Sequence, residues 1–376
     1  MESILAEFAE ATQNPFPRLI EWKQRTGKRI IGCLPMYVPE EIIHAGGMLP
    51  ITLLGNEEAL VHVDRYVEPY VCGIVRSNLD LALRGELNFL DGVIFPDICE
   101  AMQVVADIWR LHCPSLLHYN LMLPFNMRSA RGVEYLKGQF ERFRMQLESL
   151  VGCTISDQAM KESITIYNHN RSLLRHLFDL RRDNPSLLHA RDVSNIIIAS
   201  MLMPKEEHSA LLSRLLERLE EVPKPEPEDS SVRLVLWGYL CEPLEEGILD
   251  LVEEVGAVVA DDDLYVGSRY FAVPVGNTET PMDALTQRYF KDVPCPTKVN
   301  RDRDCGDYLV DMVKRSRSRA VVILTAKFCV PTAVEYPLTK KKLDKANIPS
   351  LVIETQHGVN AKGQLRTRLQ ALLETL

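Results

Sequence analysis

The chain has 376 residues, of which 46% are hydrophobic and 25% are charged. This is the composition of a globular protein, and the length suggests two or three domains. Its 43 basic and 52 acidic residues give a net charge of −9, which argues against a nucleic-acid-binding protein. The N-terminal stretch lacks the basic start and apolar middle of a signal peptide, and no apolar run is long enough for a membrane span. We therefore expect a cytoplasmic protein without nucleic-acid or membrane partners.

The first 129 residues alternate between apolar runs and amphipathic segments. After a helix over 1–26, the pattern predicts strands at 28–34, 49–55, 91–95 and 115–121 and helices at 39–47, 72–84 and 101–110. Apolar strands that alternate with helices are typical of parallel βαβ units. The sequence therefore predicts an N-terminal α/β lobe over 1–129.

The middle of the chain changes in character. Long, charged segments with apolar residues at helical spacing predict a helical region over 130–222. Prolines that alternate with charged residues follow, which is typical of a stiff, solvated linker, here over 223–231.

The alternating pattern returns after the linker. We predict strands at 232–238, 257–263, 320–326 and 348–354 and helices at 245–256, 302–316, 333–346 and 361–374. The expected C-terminal lobe covers 232–376. The predicted fold class is α/β, with two parallel-sheet lobes of flavodoxin or Rossmann type and a helical segment between them.

Several common motifs are absent from the sequence. It contains no G-x-x-x-x-G-K-[ST] loop, no G-x-G-x-x-G fingerprint after the first strand, no G-x-S-x-G elbow and no C-x-x-C pair. These absences argue against a P-loop ATPase, a nucleophile-elbow hydrolase, a zinc ribbon and a dithiol redox site.

Nine cysteines are many for such a chain, and an odd number argues against a disulfide framework. Most are expected to be small buried hydrophobic residues. Cys72, Cys99 and Cys329 share another context, because each stands at a predicted helix start after a turn or strand. Helix N-termini stabilise thiolates and suit an anionic iron–sulfur cluster. Because their spacing matches no local metal motif, three buried thiols remain the alternative, and Cys241 is a weaker fourth candidate.

Three other features carry alternative interpretations. We interpret His44 as a partly buried structural histidine. Arg76 lies one helical turn after Cys72 and either balances a negative group or serves only the surface. The run 261–263, three aspartates at a strand end, is either a metal site or, as is more common, a solvated loop.

A family resemblance joins these motifs. The stretches IGCLPMYVPEEIIHAGGMLPITLLG, YVCGIVRS, LDGVIFPDICEAMQVVADIW and ILTAKFCVP, followed by EYP, occur in this order. They resemble the 2-hydroxyacyl-CoA dehydratase and benzoyl-CoA reductase family from about residue 28 to the C-terminus. GYLCEP and VVADDDLYVGSRYF favour the reductase branch, and the chain is most similar to the smaller, C-type cluster-bearing subunit of the ATP-dependent (class I) reductases.

The resemblance implies a [4Fe–4S] cluster between the lobes, with Cys72, Cys99 and Cys329 as its ligands. The fourth ligand is either a non-protein group or another residue, for which Cys241 is the candidate. Glu100 departs from the family pattern, in which the residue after the second cysteine is usually aspartate. This difference leaves the proposed ligation unchanged but puts any close contact of that carboxylate in doubt.

The resemblance also implies a function and its partners. The expected enzyme is a ferredoxin- and ATP-dependent oxidoreductase that reduces an aromatic acyl-CoA to a cyclic dienoyl-CoA, through a ketyl radical anion at the thioester. Its expected partners are a larger homologous cluster-bearing subunit, two ATPase or activator-type subunits and ferredoxin. The alternatives are a subunit of a 2-hydroxyacyl-CoA dehydratase and a cluster-free scaffold or binding subunit.

Overall fold

The architecture is that of a computed structural model, which describes residues 1–113, 117–222, 231–238, 247–299, 304–357 and 362–376. Within these ranges the chain forms eight strands and fourteen α-helices. None of the helices in the described part of the chain has both the length and the apolar character needed to cross a lipid bilayer.

Two helices precede the first strand, where the sequence predicted one. They are α1 (Glu2–Gln13) and α2 (Pro15–Thr26). Asn14 between them is not helical, with φ −145° and ψ 74°. The cause is Pro15, because a proline ring disfavours the helical conformation of the residue before it. The prediction of one continuous helix was therefore wrong.

The N-terminal sheet contains four parallel strands. In chain order its elements are β1 (Ile30–Cys33), α3 (Glu40–Ala45), β2 (Leu49–Thr52), α4 (Gly73–Leu83), β3 (Gly92–Asp97), α5 (Glu100–His112) and β4 (Leu117–Met122). The strand order is β2-β1-β3-β4. All residues of β1 and β3 are buried, as expected of central parallel strands with helices on both faces. The strand order reverses between β1 and β3, and ligand sites in such sheets lie at the carboxyl ends of these strands.

The predicted helical region is helical. It comprises α6 (Ala130–Val151), α7 (Asp157–Asp183), α8 (Ala190–Leu202) and α9 (Lys205–Glu220). The hydroxyl groups of Ser129 and Ser156 accept backbone hydrogen bonds at the starts of α6 and α7. These caps satisfy N–H groups that have no partner within the helix.

The C-terminal sheet repeats the plan of the first sheet. Its elements are β5 (Val232–Gly238), α10 (Ile248–Glu254), β6 (Ala257–Asp263), α12 (Cys305–Arg315), β7 (Ala320–Ala326), α13 (Val330–Lys345), β8 (Ser350–Thr355) and α14 (Lys362–Glu374), while α11 (Pro281–Lys291) precedes α12. The strand order is β6-β5-β7-β8, again all parallel. The predicted fold class, α/β with two parallel-sheet lobes, is confirmed.

Helix α11 was not predicted, and it does not pack on the sheet that surrounds it in the sequence. It contacts α6, and its residue Tyr289 belongs to the hydrophobic cluster that contains Ile31 and Phe143. The C-terminal part of the chain thus contributes to the core around the N-terminal sheet. The division of the chain at 129, 222 and 231 stays a prediction.

Candidate functional site

Cys99 and Cys329 occupy equivalent positions in the two sheets. Cys99 is the N-cap residue of α5, directly after β3, and Cys329 is the N-cap residue of α13, after β7. Both β3 and β7 are the third strand of their sheet in chain order. Because helix N-termini present unpaired backbone N–H groups, each thiol lies where a negative charge is stabilised.

The two thiols interact electrostatically across the lobes. Burial raises the pKa of the Cys99 thiol; the N–H groups of Met102 and Ala101 oppose this rise, while the Cys329 thiol adds to it. Burial likewise raises the pKa of Cys329, although its Sγ atom lies 3.1 Å from the hydroxyl oxygen of Thr332. Without a cation both groups are therefore neutral thiols, whereas a bound metal would reverse this balance.

Cys295 is a third thiol at this place, and the sequence analysis did not single it out. It is buried and hydrogen-bonded to Thr297, with 3.1 Å between sulfur and oxygen. The Cys295 thiol also raises the pKa of Cys329 as a minor contribution after burial. Cys295 follows no strand and starts no helix, so the criterion that selected Cys99 excluded it. The flanking prolines in VPCPT were the signal for an ordered turn.

The segment that carries Cys295, which we call the 292–299 loop, crosses to the N-terminal lobe. The N–H group of Val299 donates to the carbonyl oxygen of Phe125 at 2.7 Å. Arg269 donates to the carbonyl oxygen of Pro294 at 2.8 Å and pairs with Asp263 at 2.6 Å. The loop is therefore held from both lobes.

Lys298 of the same loop has a buried side chain. Its Nζ atom lies 3.7 Å from the centroid of the Tyr37 ring and 4.0 Å from that of the Tyr289 ring. It donates to the carbonyl oxygen of Tyr289 at 3.1 Å and lies 3.7 Å from a carboxylate oxygen of Asp292. Burial lowers the pKa of Lys298 to about 8, while Asp292 and the Cys295 thiol act in the opposite direction.

Backbone strain occurs on both sides of the site. Tyr37, which follows β1, has φ 70°, and Phe328, which precedes Cys329, has φ 67°. Such left-handed conformations cost non-glycine residues on the order of 1–3 kcal/mol and cluster at functional sites. The strained positions lie beside Lys298 and Cys329, which marks this region as a candidate functional site.

Comparison with known proteins identifies the family. The family model described as 2-hydroxyglutaryl-CoA dehydratase, D-component, matches residues 35–376. The chain belongs to this family. The resemblance predicted from the sequence motifs is thereby confirmed.

Three relatives cover most or all of the chain. The (R)-phenyllactyl-CoA dehydratase beta subunit of Clostridium sporogenes is 28% identical over 370 residues, 98% of each chain. The lactoyl-CoA dehydratase subunit beta of Anaerotignum propionicum is 29% identical over 378 residues, 100% of this chain and 99% of the relative. The C-type benzoyl-CoA reductase subunit of Thauera aromatica is 29% identical over 334 residues, 88% of this chain and 86% of the relative. The chain is thus similar to subunits of acyl-CoA dehydratases and of a reductase, and it is a subunit of an enzyme.

The structure places the four cysteines that the sequence analysis proposed as cluster ligands in different ways. Cys99 and Cys329 both start helices at equivalent positions of the two sheets, and the Cys329 thiol contributes to the raised pKa of Cys99. Cys72 is the N-cap residue of α4, which packs against the helix that Cys99 begins. Cys241 lies outside the described residues. Within the described ranges, no three His, Cys, Asp or Glu side chains are close enough to hold a single metal ion.

The structure gives polar partners to two of the remaining candidates. His44 is hydrogen-bonded to Ser163 at 3.0 Å and Glu206 at 3.2 Å, as expected of a satisfied histidine. Arg76 pairs with Asp64, and Glu100 is exposed at the start of α5.

The acidic run at 261–263 differs from the predicted solvated loop. The three aspartates are buried within β6 and paired with arginines, Asp261 with Arg182 and Arg315, Asp262 with Arg181, and Asp263 with Arg269. The loop interpretation is wrong, because these arginines stabilise carboxylates that burial would otherwise disfavour. Neither does the described part of the chain contain a metal-binding group there.

Proposed function

We propose that this chain is the C-type subunit of an ATP-dependent benzoyl-CoA reductase and holds a [4Fe–4S] cluster through Cys72, Cys99 and Cys329. The observation that carries the proposal is that Cys99 and Cys329, from different lobes, each stand at a helix N-terminus after the third strand of their sheet. The Cys329 thiol, 230 positions (329 − 99) further along the chain, contributes to the raised pKa of the Cys99 thiol, which supports a site shared by both lobes.

The residues present fit such a cluster in their chemistry. Thiolates are the usual ligands of [4Fe–4S] clusters, and donors near the sulfurs tune the potential. The N–H groups of Met102 and Ala101 act on the Cys99 sulfur, and the Thr332 hydroxyl acts on that of Cys329. A cationic cluster iron would convert both neutral thiols to thiolates, which these donors then stabilise.

The chemistry of dearomatisation requires electrons of very low potential. When bound, a [4Fe–4S] cluster supplies one-electron transfer, with potentials that extend to roughly −700 mV. The protein's part is to bury the thiols partly and to place hydrogen-bond donors beside them. Because the sequence has no P-loop motif, ATP hydrolysis belongs to partner subunits in this proposal. Those partners are two activator-type ATPase subunits fed by ferredoxin, next to a larger homologous subunit that completes the aromatic acyl-CoA site.

The motif VVADDDLYVGSRYF, which favours the reductase branch, supports the loop that carries Cys295. In VVADDDLYVGSRYF, Asp262 accepts from the N–H group of Ser268 at 2.8 Å, so the run and the turn after it form one unit. A Cβ atom at Gly267 would come within 2.1 Å of the Asp262 carboxylate, so only glycine allows this approach. Arg269 then connects Asp263 to Pro294 and so supports the loop that carries Cys295.

A dehydratase subunit is the second candidate. The two relatives named as dehydratase beta subunits align with 98% and 100% of this chain, whereas the reductase relative aligns with 88%. Identities of 28–29% do not separate the two activities. A dehydratase would return its electron after each turnover, whereas the reductase consumes it.

The deciding experiment is an anaerobic assay of the assembled enzyme. Benzoyl-CoA, ATP and a ferredoxin-level reductant are expected to give a cyclic dienoyl-CoA, and omission of ATP is expected to abolish it. Turnover of a 2-hydroxyacyl-CoA without any diene would contradict the reductase and establish the dehydratase. Absence of iron and sulfide from freshly purified enzyme would favour the third candidate, a cluster-free scaffold subunit.

A further inference from the structure

Lys298 carries a buried positive charge that the proposed ligand set does not use. Its side chain is only 3% exposed. Burial of an ammonium group is unfavourable unless neighbouring groups compensate it. The groups that surround Lys298 therefore show how this buried charge is compensated.

The surroundings of Lys298 come from three parts of the chain. Tyr37 follows β1, Tyr289 belongs to α11, and Asp292 lies in the 292–299 loop itself. The two tyrosine rings cross edge to face at 85°, with 5.3 Å between their centroids. Ring faces attract a cation without neutralising it. The nearby carboxylate of Asp292 is 3.7 Å away, beyond direct hydrogen-bonding distance, so the ammonium retains an outward field.

Lys298 lies at the same edge of the N-terminal sheet as Cys99, because Tyr37, whose ring it contacts, follows β1 and Cys99 follows the neighbouring strand β3. The N–H group of Lys298 donates to the carbonyl oxygen of Cys295 at 2.9 Å, which closes a tight turn and keeps the two residues together. The Cys295 thiol interacts electrostatically with Lys298 and with Cys329. The Asp97 carboxylate, at the end of β3, makes a minor contribution to the raised pKa of the Cys99 thiol and to that of Tyr289. In a buried setting, charges act more strongly over such separations than they do in water.

We propose that Lys298 is the fixed counter-charge of the reducible group held at Cys99 and Cys329, and that its ammonium makes uptake of an electron easier. This inference rests on the proposed function. Each reduction adds one electron from the ferredoxin-class donor and therefore one negative charge, which the ammonium stabilises without giving up its proton. Arg269 and Arg288 are further cations near Lys298, while Asp292 is the opposing charge. In this proposal Lys298 is a positioning residue, because it acts through its charge and is not one of the ligands.

The test measures the midpoint potential of the cluster in the assembled, anaerobic enzyme. Electron paramagnetic resonance monitors the reduced cluster during the titration. Lys298→Met removes the charge but keeps an apolar side chain between the rings, and Lys298→Arg keeps the charge. We expect Lys298→Met to make reduction at least tenfold less favourable, a shift of about 59 mV to more negative potential for one electron. The control Lys291→Met removes an exposed charge seven positions earlier (298 − 291) and is expected to leave the potential unchanged.

Each outcome bears on one of the two proposals. A wild-type enzyme without iron contradicts the proposed function itself. The role of Lys298 is overturned if Lys298→Met retains its iron and its potential is unchanged. A shift equal to that of Lys291→Met overturns it as well. If Lys298→Met loses the cluster, Asp292→Asn decides, because removal of the opposing carboxylate is expected to shift the potential to less negative values. An unchanged potential in Asp292→Asn would then overturn the inference.

Discussion

Cys99 and Cys329 occupy equivalent positions in two sheets that have the same strand order. Each is the N-cap residue of the helix that follows the third strand of its sheet. The Cys329 thiol contributes to the raised pKa of the Cys99 thiol. The repeated plan thus places one thiol from each lobe at a shared edge. A group bound there would connect the two lobes, and its ligands would depend on their relative position.

Two cysteines, Cys241 and Cys295, are compared as the fourth ligand of the cluster. We expect Cys241→Ala to lose one iron on mild oxidation and to show the resonance of a three-iron cluster, because an iron without a thiolate ligand is released most readily. Cys295→Ala is expected to keep all irons, since Cys295 is hydrogen-bonded to Thr297 at 3.1 Å. A three-iron signal from Cys295→Ala alone would assign the ligand to the 292–299 loop. If the wild-type protein already shows it, the fourth ligand is not a cysteine.

The Arg269–Asp263 pair is expected to contribute strongly to stability. Both side chains are almost fully buried, and their atoms approach to 2.6 Å. Arg269→Met leaves Asp263 as an uncompensated buried charge, which costs about 3–5 kcal/mol of unfolding free energy. Urea denaturation measures this loss.

The matched control for this prediction is Arg366→Met. Arg366 pairs with Glu254 on the surface, where both side chains are about half exposed. Its loss is expected to cost less than about 1 kcal/mol. Equal destabilisation by the two substitutions would contradict the structural role given to Arg269.

His208 is expected to make stability depend on pH. Its Nε2–H group donates to the carbonyl oxygen of Ile196 at 2.8 Å, and its Nδ1 atom accepts from Asn170 at 2.8 Å, so the buried ring is neutral. Burial lowers its pKa from 6.5 to about 3. Between these values the unfolded chain binds a proton that the folded protein does not, so stability falls as pH decreases below 6.5.

The size of this effect follows from the pKa difference. Between about pH 6.5 and about pH 5, the titration of His208 lowers the free energy of unfolding by about 2 kcal/mol. His208→Gln removes the titrating ring but keeps a donor for Ile196, so its unfolding free energy should fall less over this range. Denaturation of both proteins at about pH 7 and about pH 5 measures the difference. The same decrease in both proteins would show that His208 does not carry the proton.

Local patterns predicted the strands well, since β5 and β6 begin and end at the predicted residues. They also placed Cys99 and Cys329 at strand ends, because that position depends only on a strand followed by a helix. The helix α11 was missed, as it is short and packs on α6 of the other half of the chain.

The arrangement around Lys298 was beyond sequence reasoning for the same physical reason. Tyr37 and Tyr289 are 252 positions apart (289 − 37), and only the folded chain brings their rings together. The acidic run at 261–263 was misread because its arginine partners come from helices far along the chain or from the turn after it. A sequence pattern shows charges, but the long-range pairing that allows their burial appears only in the fold.

The most direct test of the central claim is iron and acid-labile sulfide analysis of the anaerobically purified, assembled enzyme. Cys99→Ser and Cys329→Ser are compared with Cys153→Ser, which replaces an exposed cysteine between α6 and α7. The account predicts that each of the first two variants contains about four irons fewer per copy of this chain, whereas the control keeps the wild-type content. Wild-type iron content in Cys99→Ser or Cys329→Ser would contradict it.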